Sequence, residues 1–137
     1  MSLKTRKYIG PTSTDTKLAF FMMNQGLVTK GKFVYDPFVG TGSILLAAAS
    51  RGAFVFGSDI DVTTLKQKPK LGGKTIFENF LQYEFEKPEV FLSDFSKQFL
   101  RMEQIFDAII CDPPYGIRAG AKKIVFDKEI KVQKFNV

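Results

Sequence analysis

Four short runs of β-branched and aromatic residues, each ending at an aspartate, constrain the fold of this chain more than any other feature. They are Lys32–Asp36, Phe54–Asp59, Val90–Asp94 and Phe106–Asp112. Runs of this length and composition are typical of buried parallel strands. The stretches between them have helical character and are Ser43–Arg51, Asp61–Lys68 and Thr75–Tyr83. Strands that alternate with helices predict right-handed βαβ units, and therefore an α/β fold with a mostly parallel, doubly wound sheet.

The segments outside these strands and helices complete a single domain of three parts. Residues 1–30 are expected to form an N-terminal segment with a helix from about Thr14 to Gln25, because four residues there fall near helical spacing. They are Leu18, Phe21, Met22 and Gln25. Residues 31–120 form the core, with a surface loop at 67–74, and residues 121–137 form a basic tail that fits either a strand or a disordered segment.

Composition excludes several classes of protein. The chain has 137 residues, 45% of them hydrophobic, which suffices for one core. It has neither the roughly 18 uninterrupted apolar residues of a membrane span nor an apolar leader, so we expect a cytoplasmic protein without membrane contact. Cys111 is the single cysteine and histidine is absent, which excludes an internal disulfide and predicts no metal site. The net charge of +6 suits a polyanionic partner, although lysines kept for solubility explain it equally well.

The string DPFVGTGS at residues 36–43 lies where the first strand turns into a helix. A glycine-rich turn there lets a ligand approach the backbone, and the free amides of the helix favour an electronegative group. No Gly-Lys-Ser/Thr follows this string, as a phosphate loop would require, and Leu45 replaces the third glycine of the dinucleotide fingerprint. The carboxylate of Asp36 suits a cationic amino-acid group and would repel a pyrophosphate.

Acidic residues at the next two strand ends complete a candidate nucleoside site. Asp59 can accept hydrogen bonds from ribose hydroxyls, and Ile60 can pack against an adenine ring. Asp61 is expected to cap the following helix. After the third strand, Asp94 can bind an exocyclic adenine amine while Phe95 lines the ring. A helix cap followed by a core aromatic explains that last pair equally well.

The string DPPYG at residues 112–116 follows the fourth strand. Two consecutive prolines fix φ and remove two amide donors, so the loop is stiff and presents carbonyl oxygens. The exocyclic amine of a nucleobase is a matching donor, which the Asp112 carboxylate and the Pro113 carbonyl can hold. Tyr115 can then stack on the base. The alternative is a proline-rich turn whose tyrosine belongs to the core.

These motifs, in this order, resemble the amino-methyltransferases, which methylate exocyclic nitrogens of nucleobases with S-adenosylmethionine. More narrowly, four segments are similar to the eukaryotic and archaeal tRNA guanosine-10 N2-methyltransferases. They are RKYIGPTSTD at Arg6–Asp15, DPFVGTGSILLAAASRGAFVFGSDID at Asp36–Asp61, ENFLQY at Glu78–Tyr83 and DPPYGIR at Asp112–Arg118. The resemblance implies a Rossmann-like class I S-adenosylmethionine-dependent methyltransferase that acts on the N2 of a guanosine in tRNA, at position 10.

The resemblance also implies the residues of the site. The cofactor would be held by Thr12, Asp36, Phe38, Gly40, Gly42, Asp59, Ile60, Asp94 and Phe95, and the catalytic loop would be Asp112, Pro113, Pro114 and Tyr115. Residues 10–13 would fold back beside the glycine loop to hold the cofactor carboxylate, although an ordinary helix cap explains that segment as well. Lys4, Arg6, Lys7 and Arg118 are candidates for phosphate contacts, with solvated side chains as the alternative.

Partners and completeness follow from the same resemblance. Members of the family carry an N-terminal RNA-binding region with a THUMP fold and further strands after DPPY, so we expect the sheet of this chain to be incomplete at its C-terminus. They also work with a small zinc-ribbon activator subunit, which implies such a partner here, paired with an edge strand at Val90–Leu92.

Three other functions are compatible with some of the motifs. The DPPY motif also occurs in enzymes that methylate adenine N6 or cytosine N4 in DNA, and the motif alone does not identify the target base. The missing strands favour a non-catalytic cofactor-binding or scaffold module. An NAD-binding fragment is disfavoured by Leu45 and Asp36.

Overall fold

A computed structural model of the chain describes residues 3–10, 13–65, 74–97, 100 and 103–115. A short 3-10 helix, Leu3–Thr5, opens the described part. The α-helices are α1 (Thr16–Gln25), α2 (Ser43–Ala49), α3 (Val62–Leu65) and α4 (Ile76–Gln82), and the strands are β1 (Phe33–Asp36), β2 (Phe54–Asp59), β3 (Glu89–Leu92) and β4 (Ala108–Ile109). The alternation of strands and helices expected from the sequence is therefore confirmed.

The four strands form one parallel sheet in the order β3-β2-β1-β4. The carboxyl ends of parallel strands meet at one edge, and the register places Asp36 opposite Gly57 and Asp59 opposite Leu92. The chain crosses from β3, at one end of this order, to β4 on the far side of β1. In open α/β sheets, ligands bind at such a reversal of strand order, outside the carboxyl ends of the strands.

One face of the sheet carries the hydrophobic core. Val34, Val55 and Ile110 of this face pack with buried residues of the helices. Those are Ala19 and Met23 of α1, six residues of α2 (Ser43–Ala48), and Ile76 and Phe80 of α4. Helices α1, α2 and α4 therefore lie on the same face, which fixes the orientation of α2 behind the loop that follows β1.

The opposite face of the sheet is aromatic. The ring of Tyr35 stacks at 4.8 Å from Phe106 and 6.2 Å from Phe91, and its hydroxyl bonds to Ser58 Oγ at 2.6 Å. At the start of the strands, the rings of Phe33 and Phe54 lie 5.4 Å apart, with 42% and 47% of these residues exposed. Because α1, α2 and α4 pack on the other face of the sheet, none of these three helices covers the aromatic face.

The predicted apolar face of α1 was wrong. Ala19 and Met23 are its buried residues, whereas Leu18 and Phe21 are 49% and 60% exposed. Because residues 18–23 are all apolar, periodicity could not select among the possible faces. The helix begins at Thr16 because Asp15 caps it, accepting hydrogen bonds from the amides of Lys17 and Leu18.

The predicted strands were correct in place but too long and too buried at the sheet edges. β4 has two paired residues, and β3 is exposed at both ends and half-buried at its two central residues, because each strand pairs with one neighbour among the described strands. Helix α2 ends at Ala49, two residues before the predicted end. Of the predicted helix Asp61–Lys68, one turn, Val62–Leu65, is described. Residues 66–73 and the tail from 121 to 137 lie outside the described residues.

Within the described ranges, no helix has the length and apolar character needed to cross a membrane. In the same part of the chain, no three Cys, Asp or Glu side chains are grouped so that they could hold a metal ion.

Candidate cofactor and substrate site

The loop between β1 and α2 turns tightly over the carboxyl end of the sheet. Gly40 and Gly42 have φ values of 49° and 82°, in the left-handed region that favours glycine. Gly42 also lies directly against the side chain of Ile76, so a Cβ at this position would collide with α4. The amide of Val39 donates to the carbonyl of Ser58 at 2.9 Å, which ties the loop to β2.

Gly57 is a site residue that the sequence analysis missed. A Cβ at this position would lie 2.7 Å from Val39 Cγ2 and 2.8 Å from Leu45 Cδ1. The absence of a side chain therefore lets the glycine loop pack on β2. A glycine inside a strand often marks such a close approach, and this signal was present in the sequence.

Asp59 joins the ends of two loops. Its Oδ2 accepts a hydrogen bond from the amide of Gly40 at 2.9 Å, and its Oδ1 accepts one from the amide of Asp61 at 2.8 Å. Each carboxylate oxygen has a second lone pair, so the group can still accept bonds from ligand hydroxyls. Asp61 caps α3 as expected, because its Oδ1 accepts from the amide of Thr63 at 2.9 Å.

Asp36 is a buried carboxylate among other carboxylates. It is 1% exposed, and its Oδ1 accepts a hydrogen bond from the amide of Phe38 at 2.9 Å. The pKa of Asp36 is raised to about 7, mainly by burial and further by the charges of Asp59 and Asp112, while the Phe38 bond partly offsets the rise. Asp59 and Asp112 therefore both lie within electrostatic reach of Asp36, an arrangement that stabilises a cationic group placed beside it.

The N-terminal segment lies beside the glycine loop. Ser13 Oγ is 2.6 Å from Thr41 Oγ1 and accepts a hydrogen bond from the amide of Gly10 at 2.9 Å. Thr14 Oγ1 donates to Asp112 Oδ2 at 3.4 Å, so the same segment reaches the loop after β4. Thr12 itself lies outside the described residues.

Two amide side chains of α4 hold the start of this segment. Asn79 is fully buried; its Oδ1 accepts from the amide of Tyr8 at 2.7 Å, and its Nδ2 donates to the carbonyl of Tyr8 at 2.8 Å. Gln82 accepts from the amide of Lys7 at 2.8 Å and donates to the carbonyl of Thr5 at 3.0 Å. No role was predicted for these two residues from the sequence, although their spacing of three places them on one side of the helix.

The interpretation of Arg6 as a phosphate contact was wrong. Arg6 is 7% exposed, and its guanidinium donates to Ser43 Oγ at 2.8 Å and to the carbonyl of Leu3 at 3.0 Å. Burial lowers its pKa from the ordinary value, and the charges of Tyr83 and Asp15 oppose that shift. Lys7 is exposed, Arg118 lies outside the described residues, and nothing is described of the Lys4 side chain.

Two aromatic residues from different loops meet at the same edge of the sheet. The ring centroids of Phe38 and Phe95 lie 5.3 Å apart, and Phe95 is 55% exposed, so it does not belong to the core. Asp94 accepts hydrogen bonds from the amide of Ser96 at 3.0 Å and from its hydroxyl at 2.7 Å, which are cap-type bonds. Ile60 is half-buried after the end of β2.

The loop from Asp112 to Tyr115 extends into solvent. All four residues are exposed, and Tyr115 is 83% exposed. The alternative of a core tyrosine was therefore wrong. Asp112 lies near Cys111 and Asp36, since its charge helps raise the pKa of both, after burial as the main cause. Gly116 lies outside the described residues.

A groove of about 500 Å³ lies away from these carboxylates. Its lining comes from α3, α4 and the segment after α4, and includes Leu65, Phe77, Leu81 and Phe85. None of the predicted site residues lines it, so it is a separate apolar surface feature.

Comparison with known proteins identifies the family. Residues 1–130 match the family described as Conserved hypothetical protein 95. The tRNA (guanine(10)-N(2))-methyltransferase of Bos taurus is 45% identical, and the match covers 94% of this chain and 30% of that relative. The corresponding enzyme of Schizosaccharomyces pombe is also 45% identical, with 89% of this chain and 26% of the relative covered.

Solved structures agree on the fold. TrmN from Thermus thermophilus superimposes with a TM-score of 0.60 and 26% identity, over 80% of this chain and 31% of TrmN. A dimethyladenosine transferase from Plasmodium falciparum has a TM-score of 0.54 and 17% identity, over 74% of this chain and 33% of that protein. The class I methyltransferase fold is confirmed.

This chain thus spans less than a third of the length of the curated relatives it matches. The predicted resemblance to tRNA guanosine-10 N2-methyltransferases is confirmed over most of the chain. The chain belongs to the family described as Conserved hypothetical protein 95.

Proposed function

We propose that this chain forms the S-adenosylmethionine pocket and the target-base loop of an enzyme that methylates the exocyclic N2 of a guanosine in tRNA, at position 10. The observation that carries this proposal is the group of aspartates, Asp36, Asp59 and Asp112, beside a glycine loop at the carboxyl edge of the parallel sheet. Its relatives bear the name tRNA (guanine(10)-N(2))-methyltransferase, which supplies the substrate class.

The residues present fit the cofactor. Asp59, with free lone pairs after its two backbone bonds, would accept the ribose hydroxyls. Asp36, buried among like charges, would be stabilised by the cationic amino group of the methionine moiety. Gly40 and Gly42 would allow close approach of the backbone, while Thr12 and its neighbours would hold the carboxylate.

The remaining cofactor residues would surround the adenine. Ile60 and the pair Phe38 and Phe95 offer apolar surface to its ring, and Asp94 offers an acceptor for the adenine amine. When bound, S-adenosylmethionine supplies an electrophilic methyl group on a sulfonium centre.

The target-base loop would align the nucleophile. The Asp112 carboxylate and the Pro113 carbonyl would accept hydrogen bonds from the guanine N2 amine, with Pro114 keeping the loop stiff and the exposed Tyr115 stacking on the base. The base must leave its helix to reach this loop. Alignment of this kind can lower a barrier by about 7–11 kcal/mol in the best cases. No strong base is needed, because the amine proton becomes acidic once the nitrogen is alkylated.

The wider setting belongs to the same proposal. Residues 31–120 would be the methyltransferase core, working in the cytoplasm on tRNA. A small zinc-ribbon activator subunit would pair with β3, which lies at an edge of the described sheet.

Binding and transfer test this proposal separately. Titration calorimetry with S-adenosylhomocysteine and NAD should give heat of binding for the first ligand alone. Transfer of a labelled methyl group is then measured on a tRNA transcript, on the same transcript with inosine in place of the target guanosine, and on duplex DNA. Only the guanosine transcript should accept methyl, since inosine lacks the N2 amine.

The role of the loop is tested with a matched pair of variants. Asp112→Ala should abolish transfer and retain cofactor binding, whereas Asp107→Asn, at the opposite end of β4, should retain both. Methylation of DNA alone would favour the DNA enzymes. An Asp112→Ala variant with unchanged transfer would contradict the assigned role.

A further inference from the structure

The backbone of Tyr8 is fixed by one buried side chain. Asn79 bonds to both its amide and its carbonyl, at 2.7 and 2.8 Å, and Gln82 holds the two residues before it in the same way. These four bonds pair the segment with α4 much as a neighbouring strand would. Since the backbone on both sides of the Tyr8 Cα is held, the direction of its side chain is set by α4.

Tyr8 precedes, by a few residues in sequence, the part of the N-terminal segment that contacts the glycine loop. Two residues later, a Cβ at Gly10 would lie 3.0 Å from Thr41 Cγ2, which leaves little space between the segment and the loop. Ser13 then bonds to Thr41. The segment therefore runs along the wall of the candidate site, with Tyr8 before the contact and Ser13 after it.

The hydroxyl of Tyr8 lies within electrostatic reach of Asp59, which ends β2, and of Asp61. Its pKa is raised by burial first, and then by the negative charges of Asp61 and Asp59. The hydroxyl thus keeps its proton and can donate as well as accept. The residue is half-buried at this position.

We propose that Tyr8 is a further binding residue of the cofactor pocket, and that it contacts the adenosine half of the cofactor beside Asp59. This inference rests on the proposed function. The adenosine half is favoured because Tyr8 lies near Asp59 and Asp61, whereas the methionine half belongs with Asp36 and the Ser13–Thr41 contact. Asn79 is then a positioning residue, which acts on the ligand through Tyr8.

Two ligands that differ by one half of the cofactor test this assignment. S-adenosylhomocysteine contains both halves, and 5′-methylthioadenosine lacks the amino-acid group. Dissociation constants are measured by calorimetry for the wild type, Tyr8→Phe, Tyr8→Leu and Ser13→Ala, at a temperature where circular dichroism shows every variant folded. Tyr83→Ala is the matched control, because the Tyr83 ring stacks on Phe85 at 5.9 Å and Tyr83 is not among the proposed cofactor residues.

Tyr8→Leu should weaken both ligands by the same factor, about tenfold, as expected for the loss of an aromatic contact with a base. Tyr8→Phe separates the ring from the hydroxyl and should show a smaller loss, again equal for both ligands. Ser13→Ala should weaken S-adenosylhomocysteine and leave 5′-methylthioadenosine unchanged. Tyr83→Ala should leave both constants unchanged even where it lowers the melting temperature.

Three results would overturn the inference. Unchanged constants for both Tyr8 variants would remove Tyr8 from the pocket, and a loss confined to S-adenosylhomocysteine would place it at the methionine half. If the Tyr8 variants lost no more affinity than Tyr83→Ala does, the role of Tyr8 would be limited to the stability of the fold. In each case the wild type still binds, so the proposed function stands; a wild type that binds neither ligand would refute the proposed function itself.

Discussion

The amide of Gly40 donates a hydrogen bond to the Asp59 carboxylate, with N and Oδ2 2.9 Å apart. This bond joins the glycine loop that follows β1 to the end of β2, two elements separated by a whole helix in sequence. The carboxylate therefore has a structural task in the free protein, in addition to any ligand it binds. Substitution at this position should consequently affect both the loop and the ligand.

Asp59→Asn should weaken S-adenosylhomocysteine binding by about tenfold or more, because a charge-assisted hydrogen bond contributes about 1.5–3 kcal/mol. Titration calorimetry measures the change. Asp61→Asn is the control, since asparagine caps a helix as well as aspartate does, and it should bind as the wild type does. Equal losses in the two variants would show that general negative charge, and not Asp59 itself, holds the ligand.

Asp36 should make stability depend on pH in an unusual direction. Its folded-state pKa of about 7 lies above the ordinary value of 3.8, so between these values the folded chain holds a proton that the unfolded chain has released. The free energy of unfolding therefore falls as pH rises across this window, by at most about 1.4 kcal/mol per pH unit from this group. The contribution is complete below the ordinary pKa and is lost as pH rises through about 7.

Asp36→Asn removes this dependence. Urea denaturation of wild type and variant at several pH values between about 4 and 7.5 should show the wild type losing stability relative to the variant as pH rises. Two curves that stay parallel over the whole range would contradict the burial of an ionisable group at this position.

Gly42 and Gly31 form a matched pair, because both have φ of 82°. A Cβ at Gly31 would meet nothing within 4 Å, whereas one at Gly42 would meet the Ile76 side chain. Gly31→Ala should therefore cost about 1–2 kcal/mol, from the left-handed backbone alone. Gly42→Ala should cost clearly more, measured by urea denaturation, and Ile76→Ala in the same chain should recover part of the difference. Equal costs at the two glycines would show that the Ile76 contact is not tight.

Arg6→Lys should destabilise the chain by about 1–3 kcal/mol, because a lysine ammonium cannot reproduce the fixed fork that joins Ser43 Oγ to the carbonyl of Leu3. Arg51→Lys is the control, at a more exposed arginine that bonds to Asn24, and its effect should stay within about 0.5 kcal/mol. Thermal or urea unfolding separates the two. An Arg6→Lys variant as stable as the wild type would mean that the guanidinium is hydrogen-bonded to solvent.

The sequence predicted the parts of the fold that depend on local pattern. Each strand is a short apolar run, and the aspartates that end β1 and β2 were identified because a polar group interrupts that run. The start of α1 was predicted to within two residues, at about Thr14, but the buried face of the helix was not predictable, because an unbroken apolar stretch satisfies several helical periods. Edge strands were overestimated because propensity contains no information on how many neighbours a strand has.

The parts of the candidate site that consist of a local sequence motif were predictable. The parts that depend on packing between distant residues were not. We could predict the glycine loop, the acidic residues at the strand ends and the proline-stiffened loop, because each depends on residue type alone. We could not predict the roles of Asn79 and Arg6, because a polar or charged residue is expected to be exposed unless its buried partner is known. That partner lies 71 residues away for Asn79 and Tyr8, and 37 residues away for Arg6 and Ser43.

Helix α4 contacts both walls of the site, since Ile76 lies on Gly42 and, one turn on, Asn79 holds Tyr8. A shift of this helix would move both walls together, so neither can be adjusted without the other. Engineering toward enlarged cofactor analogues should accordingly randomise Ile76, Asn79 and Gln82 as one combined library. Selectivity among cofactor analogues would then be changed through residues that support the pocket walls, while every side chain that faces the ligand is retained.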